Sequence, residues 1–157
     1  MAKKYCFDTN AFVEPWNKYY RPAIAAQYWE ILEELGKREV VFCPDQVKRE
    51  IEKTDDNLKA WLDARQYFIR EETVDVQKQV RTILQKFPHI ISVGADRSMA
   101  DPWVIAHAMV EKAVVVSKEY ISRESQKKTR VKIPDVCEYY NIRCINDIDF
   151  VQEVGIQ

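Results

Sequence analysis

A chain of 157 residues that is 46% apolar and 31% charged can bury a core without staples, which excludes a disordered polypeptide. A formal net charge of −1 excludes a molecule that attracts nucleic acid as a whole, so any polyanion contact must come from a local patch. No run of about 18 apolar residues occurs, and Met1-Ala2-Lys3-Lys4 leads at once into a polar-interrupted strand; a membrane span and a signal peptide are not expected, and the reading is of one cytoplasmic domain over 1–157.

In chain order, a strand is expected over about 4–8, with Thr9 and Asn10 turning the chain into a variable stretch that carries Trp16, Tyr19 and Tyr20. Arg21-Pro22 opens a helix whose apolar positions Ile24, Tyr28, Ile31, Leu32 and Leu35 recur at helical spacing, and Gly36 ends it. Val40–Cys43 is a continuous apolar run, as expected of a strand covered on both faces, and Pro44 opens a helix with Val47 and Ile51 one turn apart. Helices follow over about 56–69 and 73–87; Ile90–Val93 is a short extended candidate. A helix from Pro102 to about Lys112 precedes a central strand, Ala113–Val116. The segment 118–132 reads as a loop, Pro134 opens a helix to about Asn141, Ile142–Ile145 is a last strand, and 147–154 a terminal helix. Strands alternating with helices imply a mostly parallel sheet with helices on both faces, a three-layer α/β/α sandwich.

In such sheets, ligands bind outside the carboxyl ends of the strands. Asp8 lies where the first strand runs out, although Asp-Thr-Asn also reads as a turn-forming triplet. Asp101 opens the 102–112 helix in Ala-Asp-Pro-Trp, where aspartate before proline is equally a helix cap. Glu50 lies three residues after Val47, at the border of its helix's inner side, and otherwise belongs to a solvated charged face. Glu119 follows the central strand directly, and Asp135 sits in the first turn of its own helix; Asp96 has no clear role. Grouped carboxylates suit Mg²⁺ or Mn²⁺, whose oxygen coordination supports phosphodiester hydrolysis. The segment 117–134 adds Lys118, Arg123, Lys127, Lys128, Arg130 and Lys132 against Glu119 and Glu124, a local positive excess that can hold a phosphate backbone beside the acids or simply be a solvated loop.

The four cysteines do not show zinc-site spacing and read as reduced thiols, with zinc across all four as the alternative. His89 and His107 read as surface and packing residues, and three glycines leave no glycine-rich phosphate loop.

Phe-Asp-Thr-Asn at 7–10, Arg-Glu-Ile at 49–51, Ala-Asp-Pro-Trp-Val-Ile-Ala at 100–106 and Val-Val-Val-Ser-Lys-Glu at 114–119 resemble the PIN-domain proteins. That family includes toxin ribonucleases of bacterial and archaeal toxin–antitoxin pairs. The resemblance runs over nearly the whole chain. It implies Mg²⁺- or Mn²⁺-dependent cleavage of RNA by an activated water, a cognate antitoxin that inserts near the acids, and a homodimer. It carries the family's first three acids onto Asp8, Glu50 and Asp101. At the fourth position the family most often has aspartate after a serine or threonine. This chain has Glu119 two residues after Ser117, with Asp135 as the substitute. Thr9, Asn10, Ser117 and Asp135 are the residues expected to support the ligands through hydrogen bonds. Two alternatives stay open: a PIN-like RNA- or protein-binding module without catalysis, and a phosphatase of the haloacid dehalogenase kind, which would want a second aspartate where Asn10 stands.

Overall fold

The computed structural model describes residues 3–91, 99–119 and 131–155. Five short strands form the sheet: β1 (Tyr5–Phe7), β2 (Val41–Pro44), β3 (Ile69–Arg70), β4 (Val114–Val116) and β5 (Cys144–Ile145). They lie in the order β3-β2-β1-β4-β5, and every pairing is parallel, with Cys6 opposite both Phe42 and Val115. The central strands are buried along their whole length, which is why they read as unbroken apolar runs. The result is the expected three-layer α/β/α sandwich with an all-parallel central sheet. Among the described residues no helix is long and apolar enough to cross a membrane.

The strand order sets the site. From β1 the chain steps outward to β2 and β3, then crosses back to β4 and β5, so β1 and β4 are neighbours at the point where the winding reverses. A crevice opens there at the carboxyl ends of both strands. Helix α6 (Asp101–Glu111) contacts β1, β2 and β4 and is buried on nearly every side, which explains its apolar composition. Its neighbour α5 (Val74–Lys86) packs along it.

Several expectations need correction. Thr9 and Asn10 do not turn the chain: they begin helix α1 (Thr9–Asn17), with Asp8 as its N-cap. Pro15 inside that helix removes one backbone donor, but the ring is buried with Ala11 and Phe12, and this packing outweighs the weak local propensity. Helix α2 (Ala26–Lys37) starts later than Pro22, and Ile24 is 81% exposed rather than inward-facing. Its inner face is Tyr28, Trp29 and Leu32, with Trp29 donating to the Tyr20 carbonyl. The helix expected over 56–69 ends early, as α4 (Asp56–Asp63). A 3₁₀ turn then buries Phe68 and feeds β3, a strand too short to show a period. Ile90 ends a 3₁₀ turn rather than starting a strand, while 92–98 lie outside the described residues.

Gly36 does not end α2 but lies inside it, because a Cβ there would come within 2.4 Å of the Phe68 ring. Gly36→Ala is therefore expected to destabilise the fold by about 1–3 kcal/mol, despite alanine's better helix propensity. The measurement is the urea midpoint; an unchanged or higher midpoint would show that Phe68 can yield.

All four cysteines are free thiols: Cys6, Cys43 and Cys137 are buried and Cys144 is half-buried. The buried His107 is neutral, its pKa pushed down to about 4 by burial. His89 is exposed.

Candidate metal centre

Asp8 reaches the crevice because β1 ends at Phe7. Its Oδ1 accepts the Thr9 amide at 2.8 Å and its Oδ2 accepts the Ser117 hydroxyl at 3.1 Å. Asp101 comes from a helix packed on the sheet, as the first residue of α6, where the helix dipole favours a carboxylate. Glu119 follows β4; its amide donates to Ser117 Oγ at 3.1 Å and its Oε2 accepts the Ile133 amide at 3.0 Å. One carboxylate oxygen from each of Asp8, Asp101 and Glu119 lies within 4.8 Å of the others.

Glu50, on α3 (Asp45–Thr54), stands outside that trio but lines the same recess of about 360 Å³, with Asp8, Asp101 and Glu119. Its Oε1 accepts the Thr9 hydroxyl at 2.9 Å. Thr9 thus serves two acids, through its amide to Asp8 and its hydroxyl to Glu50. Asn10 accepts the Lys118 amide at 2.9 Å, tying α1 to the segment that carries Glu119. A larger depression of about 610 Å³ adjoins through Glu119, between α7 (Ile133–Tyr139) and the start of α8 (Asp147–Val154). The smaller recess is the candidate centre because the converging acids are there.

Burial, then the Glu119 and Glu50 charges, push Asp8 up to about 7, against the lowering effect of its hydrogen bonds from Thr9 and Ser117. Asp101 is held well above the usual carboxylate range by burial, then by the charges of Asp8, Glu119 and Glu50. Burial also raises Glu50, partly offset by the Thr9 hydroxyl. Such a set of oxygen donors, desolvated and mutually repelling, fits a hard divalent cation, which would remove the repulsion that protons otherwise relieve.

Asp135 does not join the cluster. Its Oδ2 accepts the Lys132 amide at 3.0 Å and closes the first turn of α7. The longer glutamate side chain lets residue 119 reach the recess from two positions beyond Ser117. Lys118 has its ammonium 3.1 Å from Oδ1 of the fully buried Asp147 and over the Tyr19 ring. Lys132 is half-buried at the start of α7, and Arg123, Lys127, Lys128 and Arg130, with Asp96, lie outside the described residues. Sequence reasoning overlooked Asp147 and Tyr19. The available signal was Asp147 at the end of a strand, the same placement that drew attention to Asp8.

Residues 5–157 match a family model described as a domain of unknown function, DUF4411. A comparison with curated proteins finds no match. Among solved structures, one chain in the crystal structure of VapBC2 from Rickettsia felis bound to a DNA fragment from their promoter is similar, with a TM-score of 0.53 and 21% sequence identity. The match covers 90% of this chain and 97% of that one. At that identity the likeness establishes the fold, and the resemblance to PIN-domain proteins holds at that level.

Proposed function

We propose, for a chain that belongs to the DUF4411 family, a divalent-metal-dependent endoribonuclease that hydrolyses RNA phosphodiesters, acting as the toxin of a toxin–antitoxin pair. The observation that carries this reading is the convergence of Asp8, Asp101 and Glu119 within 4.8 Å at the reversal point of a parallel sheet, with Glu50 on the rim. Asp8, Asp101 and Glu119 would hold Mg²⁺ or Mn²⁺, and Glu50 would complete the set. A cation held there supplies nucleophile activation and charge neutralisation at the leaving oxygen. The protein's own contribution is orientation. Ser117 fixes one oxygen of Asp8 and Thr9 the other, while the Ile133 amide fixes one oxygen of Glu119. Hydrogen bonds of this kind set the direction in which a ligand's remaining lone pairs point.

The RNA strand would cross the recess with its scissile phosphate beside Asp8, Asp101 and Glu119. The fold likeness to a VapBC2 chain supports a cognate antitoxin as partner, and a homodimer belongs to the same reading. The test is incubation of the purified protein with a pool of structured and single-stranded RNA, in Mg²⁺, in Mn²⁺ and in EDTA. Cleavage with either metal and none in EDTA is expected. Tight RNA binding without cleavage at any metal concentration would instead identify a binding module.

A further inference from the structure

Lys118 lies between Ser117, which holds Asp8, and Glu119, which lines the recess, yet it does not line the recess itself. Both ends of the residue are held. Its amide donates to Asn10 Oδ1 at 2.9 Å, on the helix that Asp8 caps. Its ammonium faces Asp147 Oδ1 at 3.1 Å, on the first residue of α8, and packs 5.3 Å from the centre of the Tyr19 ring. The Tyr19 hydroxyl donates to the other Asp147 oxygen. Oδ1 accepts no aligned hydrogen bond among the described residues, so Lys118 holds it by charge. Asp147 is fully buried, and such a carboxylate is tolerated only while its counter-charge stays in place.

We infer that Lys118, Asp147 and Tyr19 form a latch that positions Glu119 for the metal; Lys118 is thus a positioning residue and not an RNA contact. The inference rests on the metal-nuclease reading above and names the device that lets a glutamate serve two residues beyond Ser117. With the ammonium anchored on Asp147 and the amide on Asn10, the backbone at 119 has one approach to the recess. The Ile133 amide and Ser117 Oγ then fix the carboxylate and the amide of Glu119. A free lysine here would let that backbone rotate, and the Glu119 oxygen would leave the trio.

The experiment is calorimetric titration of Mn²⁺ into the metal-free full-length wild type, Lys118→Met, Lys118→Arg and the double variant Lys118→Met/Asp147→Asn, with RNA KM measured in parallel. Mn²⁺ affinity is expected to fall about tenfold to a hundredfold in Lys118→Met, the range for losing a group that orients a ligand, and to recover in Lys118→Arg. RNA KM should stay within about twofold. Should Lys118→Met fail to fold, the double variant, which leaves no charge buried alone, carries the same expectation. Wild-type Mn²⁺ affinity in a folded Lys118→Met or double variant would overturn the latch. So would a raised KM at unchanged Mn²⁺ affinity, which would make Lys118 a phosphate contact. A wild type that binds no Mn²⁺ would remove the metal site itself, and the latch with it.

Discussion

Asp101→Asn is expected to slow RNA cleavage severely and, in EDTA, to make the protein more stable than the wild type. The wild-type carboxylate is buried within 4.8 Å of two others, and burial with like charge raises its pKa. Asparagine keeps the volume while removing one of the repelling charges. The gain should be about 1–2 kcal/mol, or roughly 2–8 °C in Tm for a chain of this size. The lost helix-dipole interaction is smaller, roughly 0.5 kcal/mol. Cleavage should fall roughly a thousandfold, corresponding to ~4 kcal/mol of transition-state stabilisation. In Mn²⁺ the order of stabilities should reverse. At about a hundred times Kd, the cation adds ~2.7 kcal/mol to whichever protein binds it, and only the wild type should. Scanning calorimetry of both proteins in EDTA and in Mn²⁺ reads all of this. A variant less stable than the wild type in EDTA would mean that Asp101 serves only the positive end of α6 through the helix dipole.

Without metal, wild-type stability should decline relative to Asp8→Asn as pH rises from about 5 to 8. The sign follows from Asp8, raised in the folded protein from its ordinary value of 3.8 to about 7. Between those values the folded state holds the proton more tightly than the unfolded chain. The resulting stabilisation is complete below the lower value and disappears as pH climbs through the upper one. Asp8→Asn has no proton to lose, and its amide oxygen can still accept the Thr9 N–H. The difference between the two proteins therefore isolates this group from carboxylates that titrate the opposite way, such as Glu153 beside Arg143. The variant should be the more stable near pH 8, and its lead should shrink steadily as pH falls towards the ordinary carboxylate value of 3.8. Mn²⁺ should close the gap by stabilising only the wild type, and by more as pH rises, since the ligand carboxylates must lose protons to bind. Parallel urea titrations across this range provide the measurement; a gap that does not change with pH would contradict the raised pKa of Asp8.

The elements that carry the acids were legible because their signals are local. An apolar run ending in Asp8, an Asp-Pro helix start at 101, and Val47 with Ile51 flanking Glu50 all point to the same sheet edge. The signals that failed depend on distant partners. Helix α1 holds a proline and ends in asparagine, and only burial of Ala11, Phe12 and Pro15 makes it a helix. Gly36 looks like a terminator until Phe68 arrives from 32 residues further on. Glu119 and Asp135 were interchangeable on spacing alone. The hydrogen bonds separate them: Asp135 caps its own helix, and the amide that opens that helix binds Glu119. Lys118 had the look of a loop cation because its counter-charge, Asp147, lies 29 positions away.

The most direct test of the account is calorimetric titration of Mn²⁺ into metal-free wild type and Asp101→Asn at a pH of about 7.5, where protons compete less with the cation than in acid. A saturable heat in the wild type that disappears in the variant is the predicted result. Equal heats in both proteins, or none in either, would contradict the assignment of the four acids to a metal centre, and the nuclease reading with it.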